Sequence, residues 1–200
     1  VLFRSLALSA SLVLALAGLG LAFLFHPALA AVAGLYFVST LAYSTWLKRL
    51  MMVDIIALAI LYSLRVLGGS AATGIAPSFW LIAFSFFLFL SLALLKRYSE
   101  LFNLKRAGRE KTRGRGYTTA DKAAVGIMGI NSAFLSVLIV LLYFNSSNVI
   151  ALYPHRGWLL AILPLLVLWL GRLWILAYRG KVNEDPVLYV SSDQIGRAHV

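Results

Sequence analysis

The 200-residue chain has no cysteine, and its seven acidic residues face eighteen lysines and arginines. The first absence removes disulfides, thiolate nucleophiles and cysteine-built metal sites, and leaves the redox compartment open. Only three histidines are present, His26, His155 and His199, and they are too scattered in sequence to suggest a zinc site. No catalytic-triad, P-loop or dinucleotide-binding spacing occurs. Charge as a whole is scarce, 12% of residues, and it is clustered. What fills the chain instead is apolar: 62% hydrophobic residues and a mean hydropathy of +0.89. A soluble domain of this size could not hide that much apolar surface. The composition therefore implies an all-α, polytopic transmembrane bundle. The net charge of +11 would suggest nucleic acid in a soluble protein. Here basic loops on the cytoplasmic side account for it, and no nucleic-acid partner is expected.

A crossing needs about 20 apolar residues. Six stretches qualify, near residues 5–25, 28–47, 53–72, 78–95, 123–144 and 158–178. Residues 96–122 form the one long polar segment between them. Lys48, Arg49, the cluster from Lys96 to Lys122, and Arg179 with Lys181 follow the even-numbered spans, whereas Arg156 alone among Lys and Arg follows an odd one. The even-numbered ends are therefore expected to be cytoplasmic. A short tail, GKVNEDP, leads to LYVSS, which reads as the opening of a further helix. Small residues at Gly68–Ala72 and at Gly126-x-x-Gly129 suit close helix packing.

Arg65 lies about 12 residues, or roughly 18 Å, into the third span. A guanidinium at that depth needs a polar cavity or a partner. It reads either as a structural hydrogen-bonding residue or as the wall of an anionic-substrate cavity. Arg172, nearer the end of the sixth span, can snorkel to the interface or line the same cavity. Asn131 reads as helix glue. At the cytoplasmic ends four groups gather: Tyr43 with Lys48 and Arg49; Asp54; Lys96, Arg97, Tyr98, Ser99 and Glu100; and Glu184 with Asp185. The basic residues serve first as topology signals, yet Lys and Arg also bind phosphate. Carboxylates such as Asp54 and Glu100 can hold Mg²⁺ against phosphate oxygens. The stretch Arg113-Gly114-Arg115-Gly116-Tyr117 reads either as a flexible solvated loop or as a phosphate contact.

The two ends look foreign. The reverse complement of one back-translation of VLFRS, residues 1–5, overlaps a back-translation of the terminal IGRAHV base for base, and it matches a common sequencing adapter. Residues 1–5 and 195–200 are therefore expected to be an adapter-derived scar, with 6–194 the natural stretch.

The segments LAYSTWLKR, LYSLRVLGG, SFWLIAFSFFLFLSLALLKRYSEL, GRGY, WLLAILPLLVLWLGRLWILAYRG and DPVLY follow one another in this order. Together they resemble the UbiA prenyltransferase family, and most nearly its bacterial branch that contains decaprenyl-phosphate phosphoribosyltransferase. The resemblance covers essentially all of residues 6–194. It implies a nine-helix bundle in a bacterial inner membrane, with a lipid-accessible cavity and Mg²⁺ held by two acidic motifs on the cytoplasmic side. It implies transfer involving a polyprenyl phosphate or diphosphate, with a polar acceptor or a phosphoribosyl donor. Some members of that branch carry a phosphatase-like domain before the membrane part. The first acidic motif, Asn-Asp-x-x-Asp-x-x-x-Asp, is absent from these residues. The six spans would then be the third to eighth helices, and the chain alone is expected to be inactive. In place of the second motif's aspartates stands Lys96-Arg97-Tyr98-Ser99-Glu100, with one carboxylate, which favours the phosphoribosyltransferase-like branch.

The candidate catalytic positions are Glu100 and Asp54, with metal binding at Glu100. Substrate contacts are expected at Tyr43, Lys48, Arg49, Arg65, Lys96, Arg97, Tyr98, Arg115, Tyr117 and Arg172. Of these, the resemblance carries over Lys48 and with it Arg49, as the basic pair of Tyr43-Ser44-x-x-Leu47-Lys48-Arg49 that meets diphosphate. The competing reading is a transporter or channel with Arg65 and Arg172 along an anion pathway.

Overall fold

A computed structural model describes residues 2–112, 114–146, 149 and 156–182, without the side chains of 2–8, 12 and 156. Six α-helices make up the described chain: α1 Leu2–Phe25, α2 Pro27–Thr45, α3 Val53–Thr73, α4 Phe79–Arg106, α5 Lys122–Phe144 and α6 Ile162–Tyr178. A 3₁₀ segment, Arg156–Ala161, leads into α6. Five of the resulting helical stretches are long and apolar enough to cross a membrane, and α1 adds a sixth apolar helix. Large apolar side chains such as Leu24, Phe25, Phe79 and Leu168 point outward. In a bilayer this is the expected solvent-facing chemistry, because lipid tails are as apolar as leucine.

Local chemistry sets the helix ends. His26 caps α2, its Nδ1 accepting from the Ala28 N–H at 3.2 Å, and Pro27 occupies the first turn, where a missing N–H costs nothing. Gly74 closes α3 in the left-handed region, at φ 71°. Ser78 caps α4 by accepting from Leu81 N–H at 3.1 Å. Before α5, the Asp121 carboxylate accepts from both the N–H and the hydroxyl of Thr118.

Neighbouring helices pack in chain order, and the broadest seam joins α4 to α5. Small residues on α5 make that seam close. Gly126, Gly129, Ser132, Ala133 and Ser136 are buried along it. A Cβ on Gly129 would stand 3.0 Å from Leu94 Cβ of α4 and collide with the Trp174 ring of α6, and one on Gly126 would stand 3.1 Å from the Tyr98 ring of α4 and 2.9 Å from the Tyr178 hydroxyl of α6. The Ser91 hydroxyl donates to Gly129 O at 2.8 Å and accepts from Trp174 Nε1 at 3.1 Å, tying α4, α5 and α6 together in the core.

One boundary departs from the expectation. The fourth span was expected to end at Leu95, but α4 continues to Arg106. Its 28 residues run about 42 Å at 1.5 Å per residue, well beyond a hydrocarbon core of about 30 Å. The last two turns or so of α4, about 12 Å, thus protrude as a polar extension. The sequence breaks hydropathy at Lys96 without breaking helix propensity, since Lys, Arg, Glu and Leu all favour helix. Residues 114–117 also sit in hydrogen-bonded structure where the sequence allowed a flexible loop. Lys111 and Thr118 form an antiparallel bridge. Thr119 N–H donates to Glu110 O at 2.9 Å, and Thr112 N–H to Tyr117 O at 3.2 Å. The connection between α4 and α5 is therefore a small hairpin, with Gly114 at φ 74° in its tip. The LYVSS stretch lies outside the described residues.

Candidate functional site

The ends of α2, α4 and α6 and the starts of α3 and α5 meet at the cationic end of the bundle. Asp54 sits in the first turn of α3, where the partial positive charge of the helix N-terminus favours a carboxylate. It is fully buried. Arg97 reaches it from α4, Nη2 to Oδ2 at 2.7 Å, and is itself 1% exposed. Arg97 Nη1 also pairs with Glu100, one turn along the same helix. Glu100 in turn accepts two hydrogen bonds from Arg115 Nη1 of the hairpin, at 2.9 Å to Oε1 and 2.6 Å to Oε2. Tyr117, also from the hairpin and buried, donates to Asp54 Oδ1 at 2.7 Å. Its ring lies under the Arg97 guanidinium, 5.5 Å from the centroid. Two carboxylates and two guanidiniums thus cancel in charge, which makes their burial tolerable, although the buried Arg97 Nε has no hydrogen-bond partner among the described residues.

Outside the spans, two groups respond to this packing. Burial, and then donation to Asp54, push the Tyr117 hydroxyl well above the ordinary phenol range, so it stays neutral. Burial alone would lower the Arg115 guanidinium, but the Glu100 hydrogen bonds and charge outweigh it and leave it raised.

The expected metal role of Glu100 finds little room here. Both its oxygens accept from arginines, and both Asp54 oxygens are taken by Arg97 and Tyr117. Among the described residues no three His, Asp or Glu side chains gather as a metal group. The described residues therefore do not fit a divalent cation, whose ligands would be free carboxylate oxygens. Glu184 and Asp185 lie outside the described residues.

Beside the neutral cluster is an open cationic pocket of about 790 Å³, lined by Lys48, Arg49, Gly114, Arg115 and Gly116. Among the described residues neither Lys48 nor Arg49 has a carboxylate partner. Both stand in a 3₁₀ turn, Leu47–Arg49, between α2 and α3. Gly116 packs against that turn, its Cβ position 3.4 Å from Met51 Cβ and 3.7 Å from Arg49 O. Tyr43, in the last turns of α2, is within electrostatic reach of Arg115, Arg97, Asp54 and Glu100.

The remaining sequence candidates fall elsewhere. Lys96 is half-buried on α4 beside the cluster. Tyr98 is buried in the bundle, stacked on Tyr178 at 4.8 Å and edge-on to Trp174 at 5.9 Å. Arg172 lies on an exposed side of α6. Arg65 donates to the Tyr36 hydroxyl at 2.8 Å and lies 5.5 Å from the Tyr36 ring and 5.0 Å from the Tyr62 ring. Eleven residues separate it from Asp54, about 20° past three full turns, so both occupy one face of α3 at depths about 16 Å apart. Tyr36 and Tyr43 share a face of α2 by the same geometry.

Sequence reasoning missed two features of the site. One is Met52, the only non-glycine with positive φ among the described residues, at 66°. The other is Lys122, whose ammonium lies 4.7 Å from the Phe102 ring and 5.3 Å from that of Tyr98. A Lys opening a helix carries no sequence signal for such a contact, because the partners sit on another helix.

Over residues 2–191 the sequence matches the UbiA prenyltransferase family. It is 36% identical over 187 residues, 92% of this chain, to the uncharacterized protein y4nM of Sinorhizobium fredii. It is 31% identical over 141 residues, 70% of this chain, to the nodulation protein NoeC of Azorhizobium caulinodans. The chain spans 36% of the first relative and 46% of the second.

Proposed function

This chain belongs to the UbiA prenyltransferase family, and from that premise we propose that the whole protein joins a polyprenyl phosphate or diphosphate to a polar acceptor or a phosphoribosyl donor at its cytoplasmic face. The observation that carries the reading is the contrast within the cationic end. Arg97 and Arg115 are already neutralised by Asp54 and Glu100, whereas Lys48 and Arg49 line an open pocket without a carboxylate partner among the described residues. Those two cations, next to the Gly114 and Gly116 backbone, suit phosphate oxygens. The prenyl chain would lie along the apolar helices beneath.

In this reading Lys48 and Arg49 hold the phosphate, and Tyr43 and Lys96 flank it. Arg97, Arg115, Asp54 and Glu100 act as the frame. Arg65, on the Asp54 face but deeper, lies along the wall of the prenyl cavity. The family's use of Mg²⁺ would require carboxylates other than Asp54 and Glu100. Nothing specific favours an anion-transport reading: Arg65 is occupied by Tyr36 and two aromatic rings.

The test is a transfer assay on the intact protein in detergent. Labelled polyprenyl phosphate with phosphoribosyl diphosphate, and labelled polyprenyl diphosphate with polar acceptors, are each supplied with Mg²⁺ or with chelator. Formation of a new polyprenyl product that disappears with chelator is the expected result. Intact substrate in both arms, from a protein that remains folded, contradicts the proposal.

A further inference from the structure

The Lys48–Arg49 turn is short and exits into a strained residue. After the 3₁₀ segment Leu47–Arg49, Met52 takes φ 66° and ψ −38° at the start of α3. A non-glycine side chain in that region is held there against a steric penalty, and such residues persist where their surroundings over-determine them. Met52 packs against the buried core and its carbonyl accepts from Ile56 N–H at 3.0 Å, but the polar contact that reaches it from outside α3 and its turn is one hydroxyl. The Met52 N–H donates to the Tyr117 hydroxyl oxygen at 2.7 Å, and that hydroxyl donates to Asp54 Oδ1 at 2.7 Å. Tyr117 is 65 residues away in sequence from Met52 and 2% exposed. It enters from the hairpin, whose Gly116 lies against Met51 and Arg49.

From this arrangement we infer that Tyr117 is a positioning residue: its hydroxyl clasps the strained Met52 turn and thereby holds Lys48 and Arg49 in a phosphate-binding arrangement. The inference rests on the reading of Lys48 and Arg49 given above. It differs from the expectation that Tyr117 touches substrate. Both capacities of the hydroxyl, one donor and one acceptor bond, are spent inside the protein, and the residue is buried. The clasp also makes the cationic pocket depend on two segments at once, since the hairpin supplies both the pocket's Gly114–Gly116 wall and the bond that orders the opposite wall. Arg97 over the ring and the Arg115–Glu100 pair keep the hairpin docked on α4, so the tyrosine arrives already oriented.

Tyr117→Phe keeps the ring and its contact with Arg97 and removes only the hydroxyl. Two measurements on the intact protein in detergent read its effect. Inorganic diphosphate binding is measured by calorimetry for wild type, Tyr117→Phe, Lys48→Ala and the double variant. Tryptic cleavage after Lys48 and Arg49 is timed on the folded wild type and on Tyr117→Phe. The clasp requires that Tyr117→Phe weaken diphosphate binding at least about tenfold, roughly the loss expected for one hydrogen bond involving a charged partner. It further requires that the double variant bind little worse than Lys48→Ala alone, and that cleavage at the turn accelerate while the far-ultraviolet helix signal is retained. Undiminished binding with undiminished protection in Tyr117→Phe overturns the inference, even where Lys48→Ala abolishes binding. Equal binding by wild type and Lys48→Ala instead overturns the phosphate reading of the pocket, and the inference with it. Should Tyr117→Phe prove too unstable for calorimetry, Met52→Gly supplies the second variant. Glycine relieves the strain at positive φ, so with the clasp intact it binds diphosphate as wild type does, and in the Tyr117→Phe background it recovers part of the lost stability and affinity. No recovery of affinity there, in a protein that is folded, would contradict the clasp.

Discussion

Removing Arg97 should cost far more than removing Arg115, although the two guanidiniums share the Glu100 carboxylate. Arg97→Met takes away the partner of Asp54, which has no solvent exposure and sits 2.7 Å from the lost nitrogen. A buried carboxylate left without its counter-ion is destabilising by about 3–5 kcal/mol. The surviving Tyr117 bond and the helix N-terminus soften this only in part. Arg115 and Glu100 are 28% and 21% exposed, so water screens that pair, and Arg115→Met should cost about 1 kcal/mol. A difference of 2 kcal/mol or more corresponds to about a thirtyfold or larger change in the folded ratio. The assay is unfolding of the purified protein in mixed micelles with rising denaturing detergent, followed by tryptophan fluorescence. Asp54→Asn combined with Arg97→Met removes both buried charges and keeps an acceptor for Tyr117, so it should recover at least half of the loss. Equal costs for Arg97→Met and Arg115→Met, or no recovery in the double variant, would refute the claim that a buried ion pair organises this end of the bundle.

Other outcomes follow from particular contacts. Gly129→Val should sharply reduce folded yield because its side chain enters the Trp174 ring, whereas Gly69→Ala, with open space around its Cβ position, should leave yield unchanged; detergent-resistant folded fraction measures both. Arg65→Leu in the intact enzyme should insert normally yet lose turnover, and normal activity of that folded variant would remove Arg65 from the cavity wall. Tyr117 has its pKa raised by burial, so its contribution to stability is complete below pH ~10 and is lost as pH rises beyond that toward its own pKa. Difference absorbance at 295 nm between wild type and Tyr117→Phe should accordingly show no Tyr117 phenolate at pH 10.5. Reporter fusions at Gly108 and Ser147 should report opposite sides of the membrane.

How far the sequence reached can be read from individual elements. Hydropathy located the spans to within a few residues because each apolar run is bounded by His-Pro, Lys-Arg or Gly-containing breaks. It misplaced the end of the fourth span because charge marks the membrane surface and not the end of a helix: Lys96–Arg106 are good helix formers in water. The sequence singled out Asp54, Arg97, Glu100, Arg115 and Tyr117, and the fold brings all five together. What it did not reveal was their pairing. Arginines chosen as phosphate ligands and carboxylates chosen as metal ligands turn out to be one another's partners, a relation that depends on the hairpin folding back onto α3 and α4. Tyr98 reads identically to Tyr117 in sequence, as an aromatic within a basic run, yet it stacks on Tyr178 in the core. The Met52 strain had no sequence mark, since positive φ announces itself through glycine or asparagine and methionine is neither.

The account turns on Lys48 as a phosphate ligand, and its most direct test is a comparison of Michaelis constants. Initial rates of polyprenyl transfer by the intact protein are measured against polyprenyl phosphate for wild type, Lys48→Ala and Lys105→Ala at fixed ionic strength. Lys105 is exposed in the last turn of α4, so it carries the same charge at the same end without lining the pocket. The account predicts that KM rises about tenfold or more in Lys48→Ala, the loss of one charge-assisted contact, and stays within about twofold of wild type in Lys105→Ala. An equal rise in both variants, or none in Lys48→Ala, would contradict it.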